Sequence, residues 1–363
     1  MARPTLTILA RGEPMRLGLL RLTDAAPLIV AAERGLFADE GLTVALSIEP
    51  SWSNIADKLT WGALDGAVLL APLAIAMALG ARGVTADLAV PMTLSRNGVT
   101  LTQATGFDLD GAVARGARPR IGIVHAFSTH HLLTRLYLKR RGIDPDKQIA
   151  WDVLPPARMV EALADRRIDA FAAGQPWSEM AARAGAGTTC MRSSEVWPNH
   201  PEKLLAVSAS LSDRDPMRLA ALVRATLRAA LWCDDAGNAD ELANLLAQPR
   251  WFDLPADAIR TSLPGAAQGN SDAICFFADG ATIPDPDHAA WFSRALAGGG
   301  WLPLDHATED AARALYRPQI VRSAAADLAI SLGDAGPILP PTDGELVAPS
   351  VPFTSNAGAR DAG

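Results

Sequence analysis

Cysteine is scarce in this chain of 363 residues: Cys190, Cys233 and Cys275 are odd in number, widely spaced and in no CxxC pair. That argues against a disulfide framework and against a zinc site, and fits a reducing compartment. No long apolar run is present. The longest, Val68 to Gly80, has 13 residues with Pro72 inside it, well short of the roughly 18 a membrane-crossing helix needs. Positive charge is not in excess either; the formal net charge is −7, which speaks against direct nucleic-acid binding. The first twenty residues break their one apolar stretch at Arg11, Gly12, Glu13 and Pro14, so no secretory leader can be drawn and a cytoplasmic location is expected. GxSxG, P-loop, GxGxxG and HExxH signatures are all missing, which lowers the expectation of an enzyme and gives no reason to expect a cofactor or a metal. There are no internal repeats.

What is present is an alternation of strands and helices. Met15 to Leu22 reads as a strand, Thr23-Asp24-Ala25-Ala26-Pro27 as an N-cap opening a helix to about Arg34, and Leu42 to Ile48 as a second strand. A helix over Ile55–Leu64 and a buried strand over Gly66–Leu70 complete a βαβαβ order, predicting an α/β unit with a mostly parallel sheet. A second unit of the same kind spans about 118–200, with strands at Arg120–Val124, Ile149–Leu154 and Ile168–Ala172 and helices at Ser128–Arg141 and Pro156–Asp165. Beyond it, Pro216 to Cys233 is a long amphipathic helix and more helices follow to about Leu332, while the stretch from Pro337 to Gly363 carries five prolines and reads as an extended or disordered tail.

Two such lobes make a cleft, and polar residues at strand ends and helix starts form its floor. Four candidates stand there. Trp52, after Ser51 at the end of the second strand, is either a packing residue beside a helix cap or one wall of a pocket with an N–H to offer. His130, in Ser128-Thr129-His130-His131, begins a helix; its neighbour His131 points to another face, which disfavours a paired metal site. Gln175, Pro176 and Trp177 follow a strand directly. Lys203 is either solvated or, if turned inward, in need of an anion.

The stretches LGLLRLTDAAPLIVAAERGLFADEGL, EPSWSN, FSTHHLLTRLYLKRRGIDP, AAGQPW, EVWPNHPEK and LWCDD, over roughly residues 15 to 320, resemble the nitrate-binding and bicarbonate-binding proteins of ABC transporters and their cytoplasmic relative, the NasS-type nitrate/nitrite sensor. The resemblance implies an α/β, type II periplasmic-binding-protein fold. One lobe would be built from 13–105 and 205–336 and the other from 118–204, with the tail at 337–363. It implies an anion site of Trp52, His130, Gln175, Pro176 and Lys203, with Gly98 and Thr129 beside them. Lys203 favours nitrate or nitrite, since bicarbonate-type members tend to carry an acid there with a calcium ion. Val99 stands where the transporters have Gln, leaving Thr100 or Gln103 to replace that donor, and GQPW stands for their GEPW.

Nitrate has three acceptor oxygens and no donor, so it suits a site of N–H groups and one cation. With four heavy atoms its affinity is limited to about 6 kcal/mol, or a Kd in the tens of micromolar. The resemblance further implies a sensor that is not an enzyme and that holds a NasT-type response-regulator antiterminator until nitrate or nitrite binds, without itself touching nucleic acid or membrane. A nitrate-binding transport subunit is the alternative. A thiamine-pyrimidine-synthase-like enzyme on the same fold is a further one, though such enzymes carry a Cys-rich iron motif. Replacing Lys203 by Glu is expected to abolish nitrate binding and leave the fold intact.

Overall fold

The computed structural model describes residues 13–81, 83–266 and 273–333; the tail expected over 337–363 lies outside the described residues. Among the described residues ten strands form two sheets. They are β1 (Met15–Leu19), β2 (Val44–Ile48), β3 (Gly66–Leu70), β4 (Leu88–Arg96), β5 (Val99–Ala104), β6 (Arg120–Ile123), β7 (Ala150–Val153), β8 (Ala170–Gly174), β9 (Gly187–Arg192) and β10 (Pro201–Ser208). The first sheet runs β2-β1-β3-β10-β4 and the second β7-β6-β8-β5-β9. Both follow one plan. Three strands pair in parallel, and a single strand arriving from the other lobe, β10 or β5, inserts antiparallel beside them.

The apolar run at Val68–Gly80 is divided between β3 and a helix at Ala71–Ala78 with Pro72 in its first turn, where the missing N–H costs nothing. This helix is apolar on every side, so it is covered all round; the Pro286–Gly298 helix packs on it. The long helix comes out at Pro216–Asp234 and packs against Ala26–Glu33 and Pro318–Asp327, so the chain beyond β10 wraps the first sheet. No helix among the described residues is long and apolar enough to cross a membrane.

The lobe boundaries differ from those read in the sequence. β5 pairs with β8 and β9, which moves the first crossing from beyond residue 105 to Asn97-Gly98. Pro201 to Leu204 pair with β3 and β4, so the return crossing ends before residue 201 and Lys203 belongs to the first lobe. A strand's own pattern says that it pairs, not with which sheet, and β5 follows β4 after only two residues. Asn97 and Gly98 turn the chain with φ of 59° and 77°, and Asn199 in the other crossing has φ of 54°; Asn and Gly are the residues that reach this region most readily. The two crossings are tied together: Asn97 Nδ2 donates to Asn199 Oδ1 at 3.1 Å and Asn97 N to the His200 carbonyl at 3.2 Å. At Gly98 an added Cβ would lie 2.4 Å from Ile274 Cγ1.

Candidate functional site

β1 and β3 run parallel in the first sheet and β6 and β8 in the second, so each sheet has the carboxyl edge at which open α/β sheets collect ligands. Ser51 caps the Trp52–Thr60 helix by accepting from Asn54 N at 3.2 Å. That places Trp52 in the first helical turn, buried, with its indole N–H unpartnered. Ser128 caps the Thr129–Arg140 helix of the second lobe in the same way, through His131 N. Thr129 and His130 are thereby set at the helix start, both fully buried, and Thr129 Oγ1 and His130 Nδ1 have no partner.

Lys203 is where the two lobes meet. Its Nζ lies 5.5 Å from the centre of the Trp52 ring, 3.4 Å from His130 Nε2 and 2.8 Å from Asp24 Oδ2. It also pairs with Glu202 Oε1, which in turn holds His130 Nε2 at 2.5 Å. The Lys203 side chain has no exposure and those of Asp24 and Glu202 have 4% and 1%, so this is a dry cluster. Burial by itself lowers the Lys203 pKa, but Asp24 and Glu202 outweigh it and the pKa ends raised. Burial also pushes the Asp24 carboxyl above the ordinary range against the pull of Lys203. For Glu202 burial is overcome by His130 and Lys203, and its carboxyl is held well below that range. His200, facing Glu202 Oε2 at 3.8 Å, is pulled by burial down to about 4.

Of the residues nominated from the sequence, Trp52, His130 and Lys203 come together, with Thr129 adjoining. Gln175 and Pro176 reach the cleft chiefly through backbone. Thr23 N donates to the Gln175 carbonyl at 3.0 Å, linking the lobes, while Gln175 Oε1 accepts from Ser178 Oγ at 2.8 Å. The Gln175–Pro176 peptide is cis. Gly98 serves the crossing, its carbonyl accepting from Gln175 N at 3.2 Å. Thr100 is buried with a free hydroxyl oxygen, but Gln103 pairs with Ala170, at the far end of β5 from the Val99–Gly174 pair. Four residues of strand are about 13 Å, so Gln103 does not stand in for a donor at Val99.

Asp24 and Glu202 were not nominated. Asp24 reads as part of a helix cap, yet it makes no capping bond and spends its carboxylate on Lys203. Glu202 precedes Lys203 in a strand, where alternation sends neighbours to opposite faces; register shifts between β10 and β4 on both sides of Lys203 break that alternation. An open cavity of about 220 Å³ lies between the lobes, lined by Leu20, Arg21, Ile48, Glu49 and Pro50 of the first and Pro156, Ala157 and Trp177 of the second.

The sequence profile of the NMT1-like family matches residues 10–247. The nitrate/nitrite binding protein NrtA of Synechococcus elongatus is 30% identical over 342 residues, covering 85% of this chain and 76% of that protein. The bicarbonate transport ATP-binding protein CmpC of the same organism is 33% identical over 335 residues, but this chain spans only 50% of its length. The crystal structure of the periplasmic nitrate-binding protein NrtA from Synechocystis PCC 6803 superposes with a TM-score of 0.81 at 27% identity, covering 87% of this chain and 89% of that one. The alkanesulfonate-binding protein SsuA from Xanthomonas axonopodis pv. citri shares the fold at a TM-score of 0.62 and 16% identity, over 86% of this chain and 98% of its own. The architecture is the two-lobed α/β, type II periplasmic-binding-protein fold.

Proposed function

We propose that this chain, which belongs to the NMT1-like family and groups with its NrtA-type substrate-binding members, binds nitrate or nitrite in the cleft between its lobes. The observation that carries the reading is the convergence of Trp52 and His130 on Lys203, with Thr129 next to His130 at the same helix start. Trp52, Thr129 and His130 each have a buried polar atom with no partner, and they come from helix starts in opposite lobes. A small planar anion has the acceptors for the Trp52 N–H and the Thr129 O–H and the charge for the ammonium. Binding and lobe closure need no nucleophile, so the protein works as a binder and not as an enzyme.

The role that follows is that of a NasS-type sensor in the cytoplasm, holding a NasT-type antiterminator in its ligand-free form and releasing it when nitrate or nitrite binds. The free state of Cys190, Cys233 and Cys275 is compatible with a reducing compartment. By reciprocity, ligand and partner weaken one another by the same factor. For a typical coupling of about 1 to 3 kcal/mol, nitrate loosens the partner roughly 5-fold to 150-fold.

Calorimetric titration with nitrate, nitrite, bicarbonate and taurine tests the ligand, with a Kd for nitrate or nitrite expected in the tens of micromolar. Gel filtration with a purified NasT-type antiterminator tests the role: co-elution without nitrate and separation in millimolar nitrate are expected. Anion binding with no association at any nitrate concentration would leave the transport-subunit role as the better account.

A further inference from the structure

In the buried cluster two carboxylates meet one ammonium. Lys203 contributes one positive charge, and Asp24 and Glu202 each contribute a negative one, all within direct contact of its Nζ. With one ammonium against two carboxylates, these three side chains carry a net charge of −1 before any ligand arrives. Adding a monoanion would leave two negative charges in a site whose side chains are at most 4% exposed, and a buried charge without compensation neutralises by taking a proton. Two carboxylate oxygens, Asp24 Oδ1 and Glu202 Oε2, are buried with no hydrogen-bond partner. Nitrate, which has no hydrogen, cannot donate to either.

We propose that a monoanion enters this cleft together with one proton from solvent, and that Asp24 receives it, making Asp24 the residue that sets the protein's response to anion charge. The inference rests on the cleft being an anion site, as read above. Asp24 is the suited member because of what faces it. From β10 it meets Lys203 and, further off, Glu202; from the Thr129–Arg140 helix it feels His130; His200 faces Glu202. Glu202 is held as carboxylate by both Lys203 and His130, whereas Asp24 has Lys203 alone. The second lobe closes over the same atom: a Cβ on Gly174 would lie 3.4 Å from Asp24 Oδ2 and 3.9 Å from Lys203 Nζ, so lobe contact keeps water from solvating the Asp24 charge. Protonation turns Asp24 from acceptor to donor and frees Lys203 to direct its charge at the ligand. The balance is simple: anion and proton are taken up together, both leave together, and no covalent bond of the protein changes.

The test is nitrate titrated calorimetrically into the full chain in phosphate and in Tris, buffers with different ionisation enthalpies, and then across pH 6 to 9. The expected result is a buffer-dependent heat equivalent to about one proton taken up per anion, with Kd rising up to about tenfold per pH unit. Asp24→Asn should bind nitrate with no buffer dependence and a flat pH profile, and at pH 8 it should bind at least tenfold more tightly than the parent. The parent's own buffer and pH data decide the matter even if the variant folds poorly. Nitrate heats that are identical in both buffers, with a Kd constant over pH, overturn the proton coupling and leave the nitrate reading standing. Proton uptake that persists in Asp24→Asn overturns the assignment to Asp24. The absence of any heat with nitrate or nitrite across the pH range overturns the nitrate reading and this inference with it.

Discussion

Replacing Lys203 by Met removes the ammonium that contacts both buried carboxylates, and its consequence is a change in stability before it is a change in affinity. Glu202 keeps His130 at 2.5 Å. Asp24 keeps nothing: its Oδ2 pairs with Lys203 and its Oδ1 is unpartnered. Breaking a buried ion pair by removing one member costs about 3–5 kcal/mol, because the remaining charge is stranded. At roughly 2–4 °C per kcal/mol for a chain of this scale, Tm at pH 7.5 should fall by about 6–20 °C. A second measurement separates this from ordinary core damage. In the variant the Asp24 carboxyl has its folded-state pKa raised above the unfolded value, so folding is favoured at low pH and the favour is lost as pH rises through the folded pKa. The loss of Tm should therefore be smaller at pH 5 than at pH 7.5, and adding Asp24→Asn to the variant should recover about 0.5–3 kcal/mol. Scanning calorimetry reads all three. A variant whose Tm stays within about 2 °C of the parent at pH 7.5 would refute the reasoning, since the stranded carboxyl must either stay charged in the dry cluster or take up a proton at that pH, and both cost stability. The same logic corrects the sequence-based expectation for Lys203→Glu: a third carboxylate in this cluster destabilises the fold, so that variant does not report on anion binding alone.

Two further outcomes follow from other parts of the fold. His200 and His131 are fully buried, and burial pulls them to about 4 and about 3; their folded pKa lies below the unfolded 6.5, so the stability they confer is complete above pH 6.5 and falls as pH drops toward 4, by about 1.4 kcal/mol per unit for each. His200→Gln should flatten the measured unfolding free energy between pH 6.5 and 4.5 by that amount, and a parent with constant stability over the window would contradict it. Gly98→Ala meets a φ of 77° and a contact 2.4 Å from Ile274 Cγ1, costing about 1–2 kcal/mol for the backbone and about 1–3 for the overlap. Pairing it with Ile274→Ala should relieve only the overlap, and a Gly98→Ala protein that melts with the parent would show the crossing to be more pliable than its geometry implies.

The early strands and helices were legible because hydrophobic period and turn residues agree there: β1, β2 and β3 and the Thr129–Arg140 helix fall where the pattern puts them, with ends displaced by a few residues. β4, β5 and β9 were not. β4 is buried along its whole length and β5 nearly so, so neither shows the alternation that marks a half-exposed strand. Trp52, His130 and Lys203 stood out as polar groups at a strand end or helix start, each with a packing or solvated alternative, and it was the family resemblance that joined them into one site. Asp24 was hidden behind a plausible capping role, and Glu202 behind strand alternation that irregular register undoes. Local patterns report faces and caps; they do not report which charge a distant element brings, and the sign of this site is decided by such a meeting.

The insertion of β10 between β3 and β4 also orders events on the ribosome. Every strand of the second sheet lies between Val99 and Arg192, so that lobe has all its strands while the first sheet still has an open slot between β3 and β4. The slot is filled only when Pro201–Ser208 has been made, about a hundred residues after β4, or roughly 5–20 s at ordinary rates of synthesis. The lobe that begins the chain is thus the last to close, and during that interval the facing edges of β3 and β4 present unpaired backbone to whatever strand is nearby.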